Sequence, residues 1–497
     1  MMDDAIYYGS EVKAILGHSD VSAPLCRKAA LHQMMQVMVP GTTAFEGIDA
    51  LLPGHMLIIE RDTSGRLVSR QIQYWDFVFP DASEHDPEPE PDKYVTGVRD
   101  ILLDSVATRL EADVPVGCYL SGGIDSCSIL GLATTLRQSH VKAFTISFDH
   151  GDYDESHIAR EMAERTEADQ EVMCLKAGDL YGGSFEAVTR HAERTFYNTL
   201  AVAKWHMSRR VRHCGYKVVV TGEGSDELFG GYPFFKRDFL LHATPDNPPP
   251  KSNATNQVFE GAILAESKET HAAWEDLCGF TPSWIQPWML TLKSIRPLLS
   301  DDIQEELRDY DPIAAIAEAI DPAKVRGRHA LDIAQYTWSK TMLEGQILTW
   351  GGDRVDMANS MESRPAFLDH NLAEFAVTIP PSVRIRNGVE KWVLREAMKN
   401  VLPESLYKRE KFAFMAPPSH TDHEKRRLAA TLASQWLTGD RIHAAGLFDP
   451  VRVERFLETL GGASEAVTAR RTDIVLNHLI QLHILDAMAS TSAAQFV

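Results

Sequence analysis

Val114-Pro-Val-Gly-Cys-Tyr-Leu-Ser-Gly-Gly-Ile-Asp-Ser126 is the stretch on which the reading of this chain turns. The apolar run to Leu120 reads as a buried strand, a Ser-Gly-Gly-x-Asp-Ser turn follows at once, and an amphipathic helix runs on from Cys127. Gly122 and Gly123 let the backbone approach an anion closely. The helix N-terminus offers free N–H groups, and Ser121 and Ser126 add hydroxyl donors. This is a phosphate-binding arrangement in which Asp125 would carry Mg²⁺. No Gly-Lys-Ser/Thr follows at the required spacing, so it is not the Walker loop. Five fixed positions at a usage of roughly 6% each recur by chance in about one chain in a thousand of this length. An ordinary Gly-rich strand-to-helix turn is the plainer reading, and the downstream sequence decides between the two.

Downstream, strands and helices alternate: strand Val114–Leu120, helix from Ser126, strand Ala143–Phe148, helix Glu155–Thr166, strand Glu171–Leu175, two helical stretches, strand Lys217–Thr221. Alternation of this kind predicts right-handed crossovers and a parallel sheet covered on both faces, with ligands outside the strand C-terminal ends. A second Gly-rich turn, Thr221-Gly-Glu-Gly-Ser-Asp-Glu-Leu-Phe-Gly-Gly-Tyr232, leaves the sheet at the same end. Alone it could be an acidic surface loop. Beside the first turn, Asp226 and Asp125 could share one divalent ion, with phosphate oxygens filling its remaining positions. Before the sheet, Val95, Val98, Leu102, Val106 and Leu110 mark one apolar stripe of a packing helix.

The whole chain bounds the function. Its 497 residues exceed what one core usually holds. A formal net charge of −20 argues against nucleic acid or an anionic membrane as partner and favours small-molecule chemistry. Six scattered cysteines form no Cys-x-x-Cys pair, and neither an 18-residue apolar run nor a signal peptide is present, so the expected location is the cytoplasm. Residues 1–79 read as strands with one short helix, too few to close a sheet: Ala5–Gly9, Ser10–Leu16, Met56–Glu60 and Leu67–Trp75. Pro80 to Asp92 is an acidic, proline-rich linker taken as the domain boundary, which leaves 93–490 as the second domain.

The two Gly-rich turns, the segment Asp353-Arg-Val-Asp-Met-Ala-Asn-Ser-Met-Glu-Ser-Arg-Pro-Ala-Phe-Leu-Asp369, and Lys391-Trp-Val-Leu-Arg running to Lys408-Arg-Glu-Lys411 closely resemble the synthetase domain of glutamine-dependent asparagine synthetases. These four ordered motifs cover roughly 93 to 415. The resemblance implies a fold of the adenine nucleotide alpha hydrolase-like type: a parallel sheet with helices on both faces, a helical C-terminal part, and before it a small partial β-rich domain. It implies a pyrophosphatase-loop ligase that activates a carboxylate, aspartate or a related acid, with ATP as an acyl-adenylate. Pyrophosphate is released, and ammonia or an amine attacks. Carried over by residue, Ser121, Gly122, Gly123, Asp125 and Ser126 would hold the pyrophosphate with Mg²⁺, and Asp226 would complete the metal site. Ile146 and the Thr221–Gly222 backbone would line the AMP. Glu223 occupies the position that serves adenylate formation and takes a proton from the amine, Lys411 matches the lysine that neutralises phosphate charge, and Glu362 and Arg364 would lie near the acceptor pocket. A solvated helix face reads those last two equally well.

Two departures from that pattern stand out. Pro365-Ala366 reverses the order usual after the arginine, which bears on the shape of the carboxylate pocket. Residues 6 to 75 resemble only the last part of a class II glutaminase domain, whose N-terminal cysteine nucleophile is not found after Met1-Met2. The expectation is a chain without glutaminase activity of its own. Its partial sheet would then be covered by a second copy, by a separate glutaminase or ammonia-supplying chain, or by docking on the synthetase domain. Specialised-metabolite or peptide macrolactam synthesis by the same chemistry, and a non-catalytic nucleotide-binding subunit scaffolding a glutaminase, are the alternatives. Leu241 to Asn256 reads as an inert insertion more readily than as a flap. His420-Thr-Asp-His-Glu reads as a helix cap rather than a metal cluster, His478 and His483 as structural, and the tail from Ala489 as frayed.

Overall fold

The computed structural model describes residues 5–137, 140–242, 269–409, 415–460 and 466–490. An antiparallel hairpin, β1 His55–Arg61 and β2 Leu67–Gln73, precedes the main sheet. That sheet comprises β3 Val116–Tyr119, β4 Lys142–Phe148, β5 Asp169–Leu175, β6 Val218–Thr221 and β7 Glu362–Pro365. All of its pairings are parallel, and the spatial order is β5-β4-β3-β6-β7. β6 is Val-Val-Val-Thr and buried throughout, as a strand covered on both faces must be. On one face, Val98, Leu102 and Val106 of helix Pro91–Leu110 pack with Leu130, Cys118 and Val220. On the other, Phe144 and Ile146 pack with Phe185, Val202 and Met207.

Strand order places the functional end of this sheet. The chain steps from β3 outward to β4 and β5, then returns to add β6 and β7 on the other side of β3. The direction of winding therefore reverses between β3 and β6. A crevice opens outside their C-terminal ends, because the connecting helices leave in opposite directions. Both Gly-rich turns leave the sheet at that crevice, one from β3 and one from β6.

Three expectations need correction. Glu362–Pro365 is the edge strand β7, paired with β6, and not a helix face. No strand forms over 5–9 among the described residues, while the short helix read at Ser10–Leu16 is present as Val12–Leu16. The acidic segment after Pro80 is not a free tether: Ala82 N–H donates to the Gly327 carbonyl at 2.9 Å, and His85 Nε2 lies 2.7 Å from the buried carboxylate of Asp332.

The N-terminal residues divide in two. Val12, Leu16, Ala23, Phe45 and Ile48 pack with Leu485 and Met488 of the last helix, Ala466–Ala489, and buried Glu193 accepts hydrogen bonds from the Val12 and Lys13 amides at 2.9 and 2.7 Å. The hairpin does not share this burial. Met56 (44% exposed), Leu57 (42%), Ile59 (39%) and Val68 (44%) are open to solvent.

The C-terminal histidines behave as structural residues. His478 is fully buried and His483 nearly so, and His420 Nδ1 lies 2.9 Å from Asp473 Oδ2 beside a helix that Asp422 caps through the Glu424 and Lys425 amides. The loop expected at Leu241–Asn256 lies from 243 onward outside the described residues, as does the tail from 491. No helix among the described residues is long and apolar enough to cross a membrane.

Candidate active site

The two Gly-rich turns touch each other, and glycine is what allows it. A Cβ on Gly222 would sit 2.9 Å from the Ser126 amide nitrogen and 3.1 Å from the Asp125 carbonyl carbon. Gly122 has φ +84°, a left-handed conformation that costs a side chain about 1 kcal/mol or more. Ser126 Oγ holds the first turn closed: it accepts from the Ser121 amide at 3.1 Å and donates to the Gly123 carbonyl at 3.2 Å. Ser121 Oγ lies 3.0 Å from it and accepts from the Gly123 amide at 3.3 Å.

Asp125 and Asp226 converge on one cation. Lys391 Nζ lies 2.6 Å from Asp125 Oδ1 and 2.5 Å from Asp226 Oδ1, and Ser225 Oγ donates to Asp125 Oδ1 at 2.7 Å. Lys391 is wholly buried and has φ +52°, a strained backbone for a residue with a side chain. Gly231 makes the room: a Cβ there would come within 2.0 Å of both Asp226 Oδ1 and Lys391 Cε. Two carboxylates from the helices that follow adjacent strands, already arranged around an ammonium group, are a donor set that suits Mg²⁺ sharing phosphate oxygens.

A second ion pair stands beside the first. Lys204, on helix Leu200–His213, donates to Glu223 Oε1 at 2.6 Å and also to the Gly351 carbonyl. Burial, the largest influence, pushes the Glu223 carboxyl up, but Lys204 together with hydrogen bonds from Thr221 and the backbone holds the group below its ordinary value. Glu223 Oε2 has no hydrogen-bond partner. Behind them Tyr119 OH donates to Asp356 Oδ1 at 2.9 Å, and burial pushes Asp356 up to about 7 although Lys204 pulls the other way.

Asp125, Asp226, Glu223, Lys204 and Tyr119 line a cavity of about 300 Å³. Ser121, Asp125, Ser126, Gly222, Glu223 and Asp226 are at its polar end, and Ile146, from the end of β4, forms part of its apolar wall. Gly122, Gly123 and Thr221 stand behind them in the backbone of the same turns. Opposite is an aromatic wall built from Tyr232, Phe234, Trp284, Trp288, Trp338 and Trp350. Trp350 and Gly351 belong to a π-helical stretch after Trp338, where Leu348 N–H reaches back five residues to the Leu343 carbonyl at 2.9 Å. That widening is frequent at functional sites.

Other sequence candidates fall elsewhere. Glu362 and Arg364 do not line the cavity: Glu362 pairs with Val218 at the opposite end of β6, and Arg364 binds Glu362 Oε1 at 2.7 Å and the Arg109 and Glu111 carbonyls at 3.0 and 2.8 Å. Their place near the acceptor pocket came from the resemblance alone, and the competing reading, a solvated helix face, meets a strand instead. Lys411 lies outside the described residues. Reading the sequence also assigned no role to Lys391, though it opens a motif already noticed, or to Lys204. The signal for Lys204 was present, since it interrupts the apolar stripe Leu200-x₃-Lys204-x₂-Met207, all three of which line the cavity.

Adjacent Gly-rich turns at a topological switch point, with paired aspartates between them, define a pyrophosphatase-loop ATP-utilising synthetase. Residues 97–486 match the asparagine synthase family, and the chain belongs to that family. Its relatives include Amidase chry2 of Gibberella zeae, 31% identical over 89% of this chain and 69% of that one, and Amidase chyE of Penicillium rubens, 30% identical over the same shares. It is also similar to asparagine synthetase [glutamine-hydrolyzing] 1 of Bacillus subtilis, 27% identical over 84% of this chain and 63% of that one. The chain is thus an ATP-dependent amide-forming ligase.

Proposed function

We propose that this ligase works by adenylation. A carboxylate oxygen of the substrate attacks the α-phosphorus of ATP, the bond to the β-phosphate oxygen breaks, and pyrophosphate leaves. Ammonia or an amine then attacks the acyl carbon, the carbon–oxygen bond to AMP breaks, and the nitrogen gives up a proton. The observation that carries this reading is the contact between the two turns, which brings Asp125, Asp226 and the turn backbone to one point beside Glu223.

Each residue has a part in it. Ser121, Ser126 and the Gly122–Gly123 backbone bind the leaving pyrophosphate, while Ile146 and the Thr221–Gly222 backbone flank the nucleotide. Asp125 and Asp226 would hold Mg²⁺, which supplies positive charge against the phosphate oxygens. Glu223 accepts the amine proton at Oε2. Its Oε1 bond to Lys204 keeps the carboxyl ionised and fixed in place. Lys391, and Lys411 by its place in the motif, add positive charge beside the phosphates.

Pyrophosphate and AMP, measured with ATP, ammonia and a panel of carboxylates, are the expected products. Release of ADP and phosphate instead would sink the reading. Asp125→Asn should lower turnover by about 10²-fold through loss of charge at the metal.

A further inference from the structure

The aromatic wall is more than a filled core. Tyr232 and Phe234 follow the second Gly-rich turn directly, and their rings stack at 4.9 Å. Trp338 lies 4.8 Å from Tyr232 and 4.7 Å from Phe234, and Trp284 meets Trp338 edge-on at 5.8 Å. Glu227 fixes two of these rings: its Oε1 accepts from both Tyr232 OH and Trp338 Nε1 at 3.0 Å. The wall is therefore rigid before any substrate arrives, and ring faces and edges spaced 4.5–7 Å apart are the geometry that planar π-systems prefer.

The charges around the cavity point the same way. Among the described lining residues the cation is Lys204, held by Glu223, while Lys391, buried outside the lining, is held by Asp125 and Asp226. An α-amino acid such as aspartate would bring a second carboxylate and an ammonium group against the wall. Glu227 or Glu223 would pair the ammonium group, but the second carboxylate would lose its hydration with no uncommitted cation among the described lining residues, at a cost of several kcal/mol. A second carboxylate would also face Glu227. A planar apolar group meets no such cost.

We propose that the carboxylate activated by this enzyme is carried on an aromatic ring: the carboxyl group points to the Gly-rich turns, and the ring lies against Tyr232, Phe234 and Trp338. This rests on the adenylation reading above and assigns its acceptor. The adenine lies on the other side, at Ile146 and the ends of β3 and β4.

The test uses the full chain with ATP, Mg²⁺ and ammonia, offered benzoate, 2-naphthoate, butanoate and aspartate separately. Pyrophosphate release should show kcat/KM roughly tenfold or more higher for an aryl acid than for butanoate or aspartate, the discrimination an apolar pocket commonly gives. Release as fast from aspartate or butanoate would overturn the proposal while leaving adenylation intact. In parallel, tryptophan fluorescence is followed on titration with benzoate and with aspartate. Saturable quenching by benzoate alone, with pyrophosphate from no acid, would support the aromatic site and reject adenylation. Phe234→Leu, milder than alanine in a buried position, should raise KM for the aryl acid several-fold and leave KM for ATP unchanged. A rise for ATP alone would assign the wall to adenine and overturn the proposal.

Discussion

Glu223 is held between two opposing forces. Burial favours its neutral form, and Lys204 at 2.6 Å, with hydrogen bonds from Thr221 and the backbone, tips the balance to the carboxylate. If Glu223 takes the amine proton, Glu223→Gln should bind ATP normally and lose amide formation by about 10²-fold or more. Wild-type rates in that variant would leave Glu223 a purely structural part. Lys204→Met is the sharper experiment, because it removes the pull and leaves the burial. The carboxyl should then lose its proton only at higher pH, so the acid limb of the rate profile should move upward in pH, and an unmoved limb would disconnect the pair. Gly231 is a steric matter. Gly231→Ala pushes a methyl group into Asp226 and Lys391, and the expected result is a folded protein whose KM for ATP rises at least tenfold.

At the scale of elements, the last helix carries an unusual burden. His478, on Ala466–Ala489, is fully buried with neither ring nitrogen hydrogen-bonded, and burial lowers it to about 3. The folded state therefore binds its proton far less readily than the unfolded chain. Stability at this site is full above the ordinary histidine value near 6.5 and is lost as pH falls below it. His478→Leu should stabilise the protein by about 1–3 kcal/mol at neutral pH, the cost of an unpaired buried polar group. The gain should grow between pH 7.5 and 5.5 in urea unfolding, and a gain that stays constant with pH would contradict the burial argument. Asp238 shows the opposite sign. Burial pushes it up to about 7 despite the Ser283 amide at 3.0 Å, so it favours folding less as pH rises from about 4 toward 7. The difference in unfolding midpoint between Asp238→Asn and wild type should shift in the variant's favour over that range.

Across the whole molecule, among the described residues, the hairpin is an element left without cover. Met56, Leu57, Ile59 and Val68 alternate along β1 and β2, so both faces of a two-stranded ribbon carry exposed apolar groups, with an unpaired edge beside them. Such surfaces associate in concentrated solution. Replacing the four with threonine should leave ATP turnover unchanged, because none lines the cavity, and should lower light scattering at high protein concentration. Unchanged scattering would show that the hairpin is not the sticky surface.

Local sequence determined the parallel sheet and the end at which its Gly-rich turns meet, because a strand running straight into Ser-Gly-Gly-x-Asp-Ser has few conformations that place two glycines and a helix start correctly. It also marked Asp125, Asp226 and Glu223, each inside a short motif whose spacing carries the chemistry. Adjacency of β3 and β6, roughly a hundred residues apart, was inferable only from their shared motif type, and the reversal of strand order settled it. Lys204 and Lys391 gained their roles only in three dimensions, since an ion pair across 19 or 266 residues leaves no periodic trace. Glu362 and Arg364, carried over from the resemblance, do not line the cavity, and their four-residue edge strand, Glu-Ser-Arg-Pro, has no alternation long enough to read. The aromatic wall was the least legible, because its rings come from three separated segments and each tryptophan alone reads as core. Their convergence around one cavity is a property of the packed chain.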